Sequence, residues 1–148
     1  MTKQSPYTGR FTPKNPKKYI GDHSNIIYRS SWECKVMAWL DGNDSILSWC
    51  SEEVIIPYVS PVDNKLHRYF PDFLVKFKTR NEQTKTMLIE VKPKKQTIQP
   101  IIRKRITKQY ITEVTTYAVN QAKWKAAEEY CLDHGWQFML MTEDHIGI

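Results

Sequence analysis

Two carboxylates and a lysine stand in places where charged groups are out of character. Glu90 and Lys92 belong to the otherwise apolar run TMLIEVK (86–92), and Asp72 follows Pro71 just ahead of a second apolar run, FLVKF (73–77). Residues two apart on a strand share a face, so Glu90 and Lys92 point the same way. A charged pair at a buried strand end is costly unless it is paired or holds a metal ion. If the two runs form a hairpin, Asp72 and Glu90 meet on one side of it. Like charges that close repel unless a divalent cation holds them. Oxygen-only donors suit Mg2+ or Mn2+ rather than Zn2+.

The elements that must position these groups follow from periodicity. Residues 52–59 (EEVIIPYV) read as a strand, and 66–77 (LHRYFPDFLVKF) as a second extended stretch interrupted by Pro71. Residues 86–92 form a third, and the polar segment 78–85 between the last two predicts an antiparallel hairpin. Ahead of them, 30–42 (SSWECKVMAWLDG) reads as a helix. Ser30 or Ser31 caps it, Glu33 falls where a capping box places its acid, Trp32, Val36, Trp39 and Leu40 recur at helical spacing, and Gly42 stops it. Beyond Pro93 and Pro100 a helical pattern runs from about Ile101 to His134, with a break expected near 112–116 where β-branched residues cluster, Ala118, Ala122, Trp124, Ala127, Tyr130 and Cys131 as its apolar stripe and Gly135 past its end. Residues 136–142 (WQFMLMT) read as a fourth strand. The order of arm, helix, three strands, helix and strand predicts an α/β fold, a mixed sheet flanked by helices.

The chain has 148 residues, a length that fits one domain. Its net charge of +6 is unevenly spread: residues 1–21 carry five basic groups and no acid, and residues 92–112 carry seven (Lys92, Lys94, Lys95, Arg103, Lys104, Arg105, Lys108) and no acid. Two uncompensated basic segments favour a polyanionic partner, nucleic acid first, over a membrane surface. Pro6, Gly9, Pro13 and Pro16 leave 1–21 without periodicity, so it reads as an extended basic arm ahead of a domain spanning 22–148. No apolar run approaches the length of a membrane span, and no apolar stretch follows the first basic residues as in a secretory leader. Three widely spaced cysteines, Cys34, Cys50 and Cys131, exclude a disulfide framework or zinc ribbon and read as buried thiols in a reducing compartment.

Pro71-Asp72, seventeen intervening residues and Glu90-Val91-Lys92 match the PD-(D/E)xK nuclease signature, in the expected strand context. The signature points to a restriction-endonuclease-like arrangement. More of the chain carries a closer likeness. NPKKYIGD (15–22), IYRSSWE (27–33), WCSEEVIIPY (49–58), SPVDNKLHRYFPDFLV (60–75), LIEVKPKKQT (88–97) and KWKAAEEYCLDHGWQFMLMTE (123–143) resemble the head completion nuclease family of T4-like tailed phages, whose catalytic domain is similar to the TnsA-type endonuclease fold.

The resemblance implies a metal-dependent DNA nuclease of low sequence specificity. It would process or protect the packaged DNA end at the portal vertex, beside portal, neck or other head completion proteins, in the virion and, during assembly, in the host cytoplasm. It also assigns Glu33 to the metal site rather than to the helix cap alone. Asp72 and Glu90, helped by the Val91 carbonyl, would hold Mg2+, with Mn2+ as a substitute. Glu33 would join directly or through water, and Lys92 would orient the attacking water. Lys94, Lys95, Arg103, Lys104 and Arg105 would grip phosphates, and Arg29 and Arg68 are further phosphate contacts; Arg29 could instead pair with an acid. Gln109 and Lys123 are two helix residues either of which could add a polar group to the site. His67 reads as a satisfied core histidine rather than a catalytic base, and Trp32, Trp39, Trp49 and Trp124 as core anchors. Two other functions stay open here: a head-completion protein that binds the DNA end without cutting it, and a branched-DNA or transposon-end endonuclease. Oligomeric state is not legible.

Overall fold

The computed structural model describes residues 8–147. The first helix, α1 (Ser31–Gly42), begins where Ser30 accepts a hydrogen bond from the Glu33 N–H at 3.1 Å, as a cap should. It buries Val36, Met37 and Leu40, while Trp39 turns outward, half exposed, because its position falls off that face. Of the other tryptophans expected as anchors, Trp49 and Trp124 are buried and Trp32 is half-buried.

A four-stranded sheet forms the centre: β3 (Ile46–Ser51), β6 (Phe73–Lys78), β7 (Thr84–Val91) and β8 (Gln137–Met141), in that order. The β3–β6 and β6–β7 pairs are antiparallel, and β8 runs parallel to β7. The 27-residue helix α2 (Lys108–His134) makes the crossover that a parallel pair requires. It ends at Gly135, whose φ of 71° is the left-handed conformation glycine supplies without a Cβ clash. A short last helix, α3 (Glu143–Ile146), follows β8.

Alternation on β6 and β7 divides the core between two faces. Phe73, Val75 and Ile89 pack with Trp49 against Val36, Met37 and Leu40 of α1. Leu88 packs on the opposite face against Trp124, Ala127 and Cys131 of α2. The predicted hairpin of the second and third strands is therefore present, with Phe73 opposite Ile89 and Leu74 opposite Leu88.

Three expectations about elements need correction. The strand predicted at 52–59 is shorter: only β4 (Ile56–Val59) is strand, after a break at Glu52, whose φ is +56°, and β3, which ends at Ser51, is a further strand that the sequence reading does not predict. A register shift between Ile46 and Ser48 breaks the two-residue alternation of β3 and hides it from a periodicity reading. The stretch 66–77 also divides, at the bend around Pro71. Its first half, β5 (Leu66–Tyr69), pairs with β4 in a separate hairpin that packs on α2 through Ile56, Tyr58 and Tyr69. Finally, α2 starts at Lys108, capped by Thr107, not at Ile101, and it runs through 112–116 without the expected break; Ile101, Ile102 and Ile106 lie exposed in an irregular segment.

Residues 1–7 of the predicted arm lie outside the described residues. The rest of it is built into the domain. Strand β1 (Gly9–Phe11) pairs with β2 (Ile26–Tyr28), and Tyr19 packs in the core beside Trp49, with ring centroids 4.8 Å apart. Asp41, 3% exposed at the end of α1, accepts hydrogen bonds from the backbone N–H groups of Lys14 (2.8 Å) and Asn15 (3.1 Å). Lys18 Nζ donates to the carbonyls of Asp41 and Asn43 at 2.9 and 2.7 Å, satisfying the helix C-terminus.

Candidate active site

The register that places Phe73 opposite Ile89 brings Asp72, one residue earlier, against Glu90, one residue later. By alternation Glu90 projects from the face that carries Leu88 and α2, at one end of the β6–β7 pair. Asp72 Oδ2 accepts a hydrogen bond from the Val91 N–H at 2.7 Å. Glu90 is 5% exposed. Its Oε2 accepts a hydrogen bond from the Tyr69 hydroxyl, and its Oε1 lies 4.0 Å from Lys92 Nζ. The Lys92 N–H donates to the Met141 carbonyl at 3.0 Å, which fixes the strand end to β8.

Glu33 approaches from the first turn of α1. Capping and proximity to the carboxylate pair coexist, because different atoms serve them. Ser30 satisfies the backbone, while the Glu33 carboxylate accepts from the Ser30 hydroxyl at 3.2 Å and lies in the field of Asp72. Burial first and the Asp72 charge second push Glu33 up to about 7. Asp72 is raised well above the usual carboxylate range by burial and then by the charge of Glu90. Burial also raises Glu90, against the Tyr69 hydrogen bond and the positive charge of Lys92. The site thus concentrates carboxylates that resist ionising together.

The TnsA-like endonuclease N terminal family matches residues 43–143. The chain is also 40% identical, over 142 residues, to the Head completion nuclease of Enterobacteria phage T4, covering 93% of this chain and 92% of that protein. This chain belongs to the TnsA-like endonuclease family. Its mixed sheet with flanking helices is accordingly the restriction-endonuclease-like fold.

In this TnsA-like endonuclease the matched span contains Asp72, Glu90 and Lys92, while Glu33 precedes it. Among the described residues no three histidine, cysteine or acidic side chains converge into a finished metal cage. Two opposed carboxylates with raised proton affinity, Glu90 buried and Asp72 half-buried, nevertheless fit a hard divalent cation. Mg2+ commonly takes one or two protein carboxylates, keeps several waters and completes its shell with substrate phosphate. A cation would also relieve the repulsion that raises Asp72.

The basic residues divide into engaged and open groups. Arg29 donates to Glu52, so its alternative expectation, pairing with an acid, is the one realised; its charge is felt at Glu33. Lys94 is tied to α3: its N–H donates to Glu143 at 2.6 Å and its Nζ to Asp144 at 3.0 Å. Arg68 lies over the Phe70 ring, 5.9 Å from its centroid. Lys95 and Arg103 line an open cavity of about 650 Å3 against the first turns of α2, and Lys104 and Arg105 are exposed beside it. Gln109 lines that cavity and bonds Glu113. Lys123 is the helix residue drawn to the carboxylates: its charge, like that of Lys92, favours the ionised form of Glu90. His67 is not the core histidine expected: it is exposed on the β4–β5 hairpin, where it pairs with Asp63 at 2.8 Å.

Tyr69 went unread in the sequence. The one available signal was its position three residues before Asp72, at the buried end of an otherwise exposed strand; that the chain folds back at Pro71 is not written in its spacing.

Proposed function

We propose that this TnsA-like endonuclease hydrolyses DNA phosphodiesters with a divalent cation held by Asp72 and Glu90, and that it works on DNA ends during phage head completion. The observation that carries this reading is the opposition of a buried carboxylate, Glu90, and a half-buried one, Asp72, beside Lys92 at the end of a hairpin. Asp72 and Glu90, with the Val91 carbonyl, would hold Mg2+ or Mn2+; Glu33 would bind at its outer side or through water. The bound cation lowers the pKa of a water and neutralises charge on the scissile phosphate. Lys92, 4.0 Å from Glu90, orients the attacking water and meets the charge that develops on the phosphate. Val91 N–H holds Asp72 in place through the reaction. Lys95, Arg103, Lys104 and Arg105 supply sequence-independent grip on the backbone. The head-completion role rests on the name and the 40% identity of the phage T4 protein, and DNA and head proteins are the partners it suggests.

The test incubates the protein with supercoiled plasmid and with linear duplex in Mg2+, in Mn2+ and in EDTA, beside Asp72→Ala and Glu90→Ala. Cleavage should require the metal, and each substitution should lower its rate at least a hundredfold while melting and DNA binding persist. The two substrates separate nicking from end trimming. A folded wild type that binds DNA and cuts neither substrate would refute hydrolysis by the free protein and favour a role as a DNA-end-binding protein.

A further inference from the structure

The β4–β5 hairpin stands outside the central sheet, yet one of its side chains reaches the carboxylate pair. Tyr69, 4% exposed at the end of β5, donates its hydroxyl to Glu90 Oε2. Lys123, half-buried on α2, holds its Nζ 5.6 Å from the centroid of the Tyr69 ring and 5.8 Å from that of Tyr58. A cation over two aromatic faces is attracted by their negative faces, so the two rings fix where the ammonium stands. From there its charge and that of Lys92 both favour the ionised form of Glu90, while the two ammonium groups repel each other. Glu90 is therefore held from two sides: Oε2 by a phenol, Oε1 facing Lys92.

We propose that Tyr69 and Lys123 form a positioning pair that holds Glu90 by one oxygen and leaves the other to face the cation beside Asp72, so that the hairpin and α2 set the affinity of the metal site. This rests on the metal-dependent reading given above. Neither residue touches the reacting atoms. Tyr69 acts by restraining the carboxylate rotation, and Lys123 acts by pinning the Tyr69 ring and balancing the charge of Glu90. Partners of metal ligands commonly govern affinity in this way, their loss weakening binding by roughly 10–100-fold.

The experiment measures Mn2+ binding by calorimetry and by the loss of free-ion paramagnetic resonance signal, in wild type, Tyr69→Phe, Lys123→Met and Lys123→Arg, with melting curves for each. Tyr69→Phe removes one oxygen and keeps the ring. It should weaken Mn2+ binding about tenfold and raise the Mg2+ concentration giving half-maximal cleavage by a similar factor, while the rate at saturating metal falls less than threefold. Lys123→Met should weaken binding by a smaller factor, and Lys123→Arg, which keeps a cation over the rings, should restore most of it. A purely structural role would lower the melting temperature without moving the metal dependence. Unchanged Mn2+ affinity in a folded Tyr69→Phe overturns the positioning pair and leaves the metal reading standing. Failure of the wild type to bind Mn2+ overturns both. If Tyr69→Phe does not fold, the two Lys123 variants decide: equal affinities for Met and Arg overturn the proposal.

Discussion

Asp72, Glu90 and Glu33 hold protons more tightly in the folded protein than as free side chains, because burial and neighbouring negative charge disfavour their ionised forms. The consequence for stability has a definite sign. The folded state binds more protons than the unfolded chain between the two pKa values, so these groups contribute stability at low pH that fades as pH rises. For Glu33 the window runs from its ordinary 4.5 to about 7. In EDTA, the melting temperature of the wild type relative to Asp72→Asn should fall across that window, since the variant lacks one of the repelling charges. Added Mg2+ should raise the wild-type melting temperature more at the upper end than at the lower. Differential scanning fluorimetry across pH, with and without Mg2+, checks both; a relative stability that climbs with pH in EDTA would contradict the account. At this scale the sequence is informative where chemistry is local. Asp72, Glu90 and Lys92 announce themselves because two strands and a turn fix their relation. Tyr69 and Lys123 reach Glu90 through a folded-back hairpin and a helix crossing, and no spacing encodes either.

Elements with strong local signals form as their residues dictate. The β6–β7 hairpin, the body of α1, the second half of α2 with its Gly135 end, and β8 all follow from alternation, helical stripes and end signals. Those that depart do so where tertiary partners decide. The irregularity between Ile46 and Ser48 spoils the period of β3. The assignment of β5 to a satellite hairpin depends on Tyr69 and Tyr58 finding α2, which a strand pattern cannot specify. The start of α2 waits for Thr107 because Pro100 and three exposed isoleucines offer the preceding segment nothing to pack on. Ser30 joins the two kinds of information, capping α1 while donating to Glu33. Ser30→Ala should cost about 1 kcal/mol of stability in urea denaturation. It should leave metal-dependent cleavage measurable, since Asp72 and Glu90 keep their own partners.

Taken whole, the molecule is a sheet with a helix on each face and its carboxylates at one end, and the composition of the chain already favoured a nucleic-acid partner over a membrane surface. The least legible large-scale feature is the boundary of the folded unit. A proline-rich, basic segment reads as an arm, but the hydrogen bonds that seat residues 14–20 are made to Asp41 and Trp49, far along the chain. Asp41 has a consequence for the logic of the fold. Its carboxylate is sealed from water and is answered by amide hydrogens of a segment that folding must bring from 26 and 27 residues away. A chain beginning at residue 22 would keep every strand of the central sheet but lose Tyr19 from the core and the groups that satisfy the end of α1. Such a truncation should lose several kcal/mol, as equilibrium denaturation would register. Residues 8–21 are thus less a leash than a keystone, holding the first helix against the sheet.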